Sequence, residues 1–132
     1  MMTKNDVKNI LLANDNFLIL THTRPDGDTI GSAAALCAAL RRIGKSAYLY
    51  PNPEITDTYR EFSDKFIAES APADCFSISV DTAAENMLPK GYEGHVRLAI
   101  DHHGSNSYYA ENTYVESHKA ACGEIIMDIW NN

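Results

Sequence analysis

Seven residues of this chain have the types and spacing to hold metal ions: His22, Asp26, Asp28, Asp81, Asp101, His102 and His103. They fall in three short stretches, HTRPDGDTIGS (22–32), SVDTA (79–83) and IDHHGSN (100–106). So many acids with only Arg24 nearby to offset them would repel one another strongly, unless divalent cations sit among them. Mixed imidazole and carboxylate ligation suits Mn, Co, Fe or Zn rather than Ca, and Mg where water completes its shell. Two ions roughly 3.5 to 4 Å apart need a bridging ligand. Asp81, the sole acid on its strand end and drawn from a middle element, is the natural bridge.

Taken singly, each residue has a plainer role. His22 could be a hydrogen-bonded loop histidine, PDGD has the composition of a turn, Asp28 could cap the helix that follows, and Asp81 could cap the turn after it. One histidine of the pair 102–103 would ordinarily be structural. These plain roles would have to hold together at three separate strand ends. A Ser/His/Asp arrangement using Ser32 or Ser105 lacks a GxSxG elbow and leaves most of the acids without a purpose. His95 and His118 have no such company and read as surface residues.

The elements that must position these groups follow from the patterns around them. Thr3 with Asp6 three residues on predicts a capped amphipathic helix ending near residues 14–16. FLIL (17–20) is a strand running into His22. Residues 30–43 form a mostly buried helix closed by Gly44. SAYLY (46–50) is a second strand, and 54–70 one further helix. FSISV (76–80) is a buried strand running into Asp81, followed by a helical turn in AAENML. VRLAI (96–100) is a strand running into Asp101, TYV (113–115) an edge strand, and KAACGEIIMDIW (119–130) an amphipathic helix. Apolar strands separated by helices imply βαβ units, hence an α/β, doubly wound, mainly parallel sheet with helices on both faces. In such a sheet the residues just past the carboxyl ends of the strands gather at one edge, where ligands bind.

Composition sets the outer bounds. The 132 residues are 45% hydrophobic and 22% charged, an ordinary globular balance for one domain. Eleven Lys and Arg against eighteen Asp and Glu give a net charge of −7, which argues against gripping long duplex nucleic acid by its backbone. Cys37, Cys75 and Cys122 lack CxxC spacing and lie in apolar stretches, so they read as buried thiols of a reducing compartment. With no signal-peptide pattern and no apolar run near the length of about 18 that a membrane span needs, the expected location is cytoplasmic.

In that order, HTRPDGDTIGS, SVDTA and IDHHGSN resemble motifs I, II and III of the DHH phosphoesterases, a family named for the triplet at 101–103. KAACGEIIMDIW resembles the helix that follows motif III there. Within the family the chain is most similar to the bifunctional oligoribonuclease and 3′-phosphoadenosine 5′-phosphate phosphatase group, whose substrates are very short RNAs, linear dinucleotides and small nucleotides. Family II pyrophosphatases, cyclic-di-AMP phosphodiesterases and RecJ-type exonucleases are less close.

The resemblance implies a two-metal site in an N-terminal DHH domain. His22 and Asp26 would hold one ion, Asp28 and His102 the other, and Asp81 would bridge both. His103 would face the phosphate with Arg24 beside it, while Asp101 would orient a histidine ring from behind. Asp81 and His103 would be the catalytic pair. The implied cofactor is Mn2+, with Mg2+ or Co2+ as alternatives, and the implied reaction is hydrolysis of a phosphodiester or phosphomonoester by a metal-bridging hydroxide.

Members of that group are usually more than twice this length, with a fourth motif carrying one more metal-binding aspartate and then a substrate-gripping domain. Asp128 lies inside the apolar pattern EIIMDIW, not in the loop such an aspartate needs, and is not taken as a ligand. The expectation is therefore a single truncated DHH domain over 1–132, able to bind metal at one or both sites but weakly active or inactive alone. The alternative is a non-catalytic metal- or nucleotide-binding module, and a missing partner domain would leave a sheet edge free to pair in a homodimer.

Overall fold

A computed structural model describes residues 2–67 and 74–130. Helix α1 (Lys4–Ala13) opens with the expected reciprocal cap: Thr3 Oγ1 accepts from the Asp6 amide at 3.1 Å, and the Asp6 carboxylate accepts from the Thr3 amide at 2.8 Å. Strand β1 (Phe17–Leu20) matches the apolar run, with all four residues buried. Helix α2 (Gly27–Arg42) starts three residues before the expected Ile30, because Asp26 and not Asp28 caps it by accepting from the Thr29 amide at 2.9 Å. It ends at glycine, as the sequence predicts. Gly44, at φ +88°, lets its own amide reach the Arg41 carbonyl and that of Lys45 reach Leu40, a Schellman closure.

Strand β2 (Ala47–Leu49) and helix α3 (Asp57–Ser63) follow. The helix expected over 54–70 is shorter: a 3-10 turn at Asp64–Phe66 succeeds α3, and Ile67 is extended, bridging to Leu49. Residues 68–70 lie outside the described residues. Strand β3 (Phe76–Val80) is buried throughout, and AAENML supplies a 3-10 turn at Glu85–Met87. Strands β4 (Leu98–Asp101) and β5 (Asn112–Val115) and helix α4 (Cys122–Trp130) complete the order, α4 starting three residues later than expected.

The five strands form one sheet in the order β2-β1-β3-β4-β5, with every pairing parallel. The chain runs outward from β1 to β2 and then crosses back to β3, so the order reverses between β1 and β3. That reversal is where ligands bind in open α/β sheets. Helices α1, α2 and α4 lie on one face, where Val7, Leu36, Leu40, Ile125 and Ile129 meet Phe17, Ile19 and Ile78 in the main core. Among the described residues a second, smaller cluster forms around Leu88 and Val96, with Tyr50, Tyr92 and Tyr109 against Leu20. No helix among the described residues is long and apolar enough to cross a membrane.

Candidate metal centre

The carboxyl ends of β1, β3 and β4 lie side by side, and their sequence neighbours supply the chemistry. Asp81 follows β3, the central strand. It is 6% exposed and sits in the left-handed region at φ 57°, a conformation that costs a non-glycine residue free energy and is held here by its surroundings. Its amide donates to the Ile100 carbonyl of β4 at 3.0 Å, which fixes the backbone against the strand bearing the histidines. Its buried Oδ1 lies 3.1 Å from His102 Nε2 and 3.8 Å from His103 Nδ1, yet no hydrogen bond satisfies it. Burial first, and then repulsion from Asp28, pushes this carboxyl up to about 7; Asp26 adds to the rise, and His103 and His102 oppose it.

The triplet after β4 is organised by its own aspartate. Asp101 is fully buried, and its Oδ1 pairs with His103 Nδ1 at 2.6 Å while accepting from the His102 amide at 2.8 Å. Its Oδ2 accepts from Asn106 Nδ2 at 2.9 Å. Ligand atoms of Asp81, Asp101, His102 and His103 all lie within 4.8 Å of one another. Proximity alone would make Asp101 a fourth ligand. With three donors already on its two oxygens, it instead has the bonding of a group that aims other residues.

His22, Asp26 and Asp28 arrive from the other side. His22 and Asp26 line a cleft of about 300 Å³ together with Arg24, Asp81, His103 and Ser105. His22 Nδ1 accepts from the Arg24 amide at 3.0 Å, and its carbonyl accepts from Asn52 Nδ2 at 3.0 Å. Asp28 Oδ2 is 3.8 Å from His102 Nε2. The structure thus brings all seven candidate residues to one edge, with the tightest grouping around Asp81 and the triplet. Ser32 Oγ donates to Asp28 at 3.2 Å, so it serves a carboxylate and not a histidine as a nucleophile would require. His95 and His118 are exposed, and Asp128 pairs with Lys119 at 2.8 Å and Lys4 at 3.9 Å. Cys37 and Cys122 are buried and Cys75 is half-buried.

Several contributors were not singled out from the sequence. Thr29 receives the His22 amide and donates to the Val80 carbonyl, each at 3.3 Å, tying the first stretch to β3. Asn106 carried a signal, since it closes IDHHGSN, but its partner Asp101 could not be read from spacing. Asn52 stands in an unremarkable PNP sequence and carried none.

An unsatisfied buried carboxylate oxygen, ringed by two imidazoles and two further acids, fits a cationic occupant, because a cation relieves both the missing bond and the repulsion. The chain belongs to the DHH family, whose N-terminal domain matches residues 16–131. Among its relatives is the bifunctional oligoribonuclease and PAP phosphatase NrnA of Thermus thermophilus, 34% identical over 116 residues. That alignment covers 84% of this chain and 35% of the relative, so the chain spans about a third of that protein's length. An exopolyphosphatase-related protein from Bacteroides fragilis shares the fold, with a TM-score of 0.68 at 21% identity over 96% of this chain and 42% of that one.

Proposed function

We propose that this chain is the metal-binding domain of a phosphoesterase that hydrolyses a phosphodiester or phosphomonoester in short oligoribonucleotides, dinucleotides or small nucleotides. The observation that carries the reading is Asp81: a buried carboxylate, strained at φ 57°, with one oxygen left unbonded between His102 and His103. His22 and Asp26 would hold one ion and Asp28 and His102 a second, with Asp81 between them. Mn2+ is the ion that the resemblance to the family implies, with Mg2+ or Co2+ as alternatives that a mixed imidazole and carboxylate set also admits. Bound there, the ions would supply a Lewis acid and make water acidic enough to be a nucleophile near neutral pH.

The chain's own groups do the rest. With His103 Nδ1 committed to Asp101, Nε2 is the ring atom left to meet a phosphate oxygen. Arg24, at the wall of the same cleft, offers positive charge where the substrate's negative charge would lie. Substrate class is supported by the relative NrnA, an oligoribonuclease and PAP phosphatase. The test is elemental analysis beside hydrolysis of a diribonucleotide and of 3′-phosphoadenosine 5′-phosphate with Mn2+. Uptake with turnover is the expected result. Uptake without turnover in this chain assigns it metal binding alone, and no uptake removes the reading.

A further inference from the structure

Asp28 accepts more hydrogen bonds than a turn residue requires. Its Oδ2 accepts from the Cys122 amide at 3.1 Å, and its Oδ1 accepts from the Gly123 amide and the Ser32 hydroxyl, each at 3.2 Å. The first amides of a helix have no partner within it, and a carboxylate there also meets the positive end of the helix dipole. Cys122 and Gly123 open α4, 94 and 95 residues downstream of Asp28, so α4 takes its cap from the first turn of α2. An ionised carboxylate has about four lone-pair positions. Among the described residues three are occupied, and the one remaining is on Oδ2, the oxygen 3.8 Å from His102 Nε2.

We propose that α4 is part of the metal centre. Its amino end and Ser32 fix the Asp28 carboxylate, and the single open position on Oδ2, beside His102, is the one offered to an ion. The inference rests on the metal-binding reading above. It makes Ser32, which is 1% exposed, a positioning residue. It also links α4 to the metal: because both use one carboxylate, an ion that immobilises Asp28 strengthens the hold on α4, and a docked α4 strengthens the hold on the ion.

The experiment uses the whole chain with Mn2+ as probe, following metal by titration calorimetry and the first turn of α4 by hydrogen exchange. Ser32→Ala should weaken Mn2+ binding roughly tenfold, as loss of a partner behind a ligand does, while the metal-free variant stays folded. Asp28→Ala should speed exchange at the start of α4 without metal. Asp28→Asn, which keeps only one of the two acceptor oxygens, should retain protection at one of the two amides but lose Mn2+ affinity. Adding Mn2+ to the unaltered chain should slow the same amides. Undiminished Mn2+ affinity in Ser32→Ala, or unchanged exchange in Asp28→Ala, overturns this inference alone. Failure of the unaltered chain to take up Mn2+ overturns the reading it rests on as well.

Discussion

At the end of β4, one buried carboxylate organises everything around it: Asp101 aims the His103 ring, holds the His102 amide and is itself fixed by Asn106. At and before the start of α2, three candidate ligands each serve a structural need. His22 receives the Arg24 amide, Asp26 caps α2 and Asp28 caps α4. The first region has its geometry set by Asp101 and Asn106, whose hydrogen bonds go to their neighbours. The second must share or exchange hydrogen bonds to take part. The difference teaches that equal-looking acids in a sequence can carry unequal structural duties.

The strongest way to break the comparison is to remove the group between the regions. Asp81→Asn should lower metal uptake by more than the roughly 10–100-fold that an outer partner is worth, and abolish any Mn2+-dependent hydrolysis; full metal content in that variant would remove Asp81 from the centre. Asp101→Ala leaves the His102 amide and the Asn106 side chain without their acceptor. It should cost about 2 kcal/mol or more in urea denaturation, with metal affinity falling along with it.

Asp26 sharpens the contrast. Asp26→Ala should lose about 1 kcal/mol of stability as an N-cap, whereas Asp26→Asn should keep the cap and lose only metal affinity. An Asn variant that binds metal normally would make Asp26 a cap and nothing more.

Acidity gives a further test. Asp81 titrates near 7 in the folded chain against 3.8 for an ordinary aspartate. Between those values the native state binds more protons than the unfolded one, so metal-free stability should fall as pH rises from about 4 to about 7. Metal must displace that proton, so Mn2+ affinity should rise over the same window. Thermal melts and titrations at several pH values check both, and Asp81→Asn should flatten the melt profile. The smallest effects belong to His95→Ala and His118→Ala, each expected within about 0.5 kcal/mol and without change in bound metal.

The short buried strands were the most legible part of the sequence. FLIL is a contiguous apolar run and FSISV sets only small, buried serines between its apolar residues, because β1 and β3 are covered on both faces, and that pattern needs no tertiary knowledge. Boundaries set by capping were less legible. Both Asp26 and Asp28 precede Thr29, and only the Thr29 amide meeting Asp26 decided where α2 begins. The segment after Asp57 misled for a different reason: its composition suits a helix, but Ile67 is drawn into a bridge with Leu49 at the sheet edge.

What the sequence determined by itself was the kind of chemistry and its address, because acids and imidazoles placed directly after buried strands must emerge at one edge of a parallel sheet. The tertiary structure decided how those groups are shared. That Asp28 meets the amides of α4, that Asp101 is consumed by its neighbours, and that Asp81 keeps a buried oxygen unbonded all depend on contacts between distant segments. A hydrogen bond across 94 residues is set by how α2 and α4 pack on the sheet, and no local pattern encodes it.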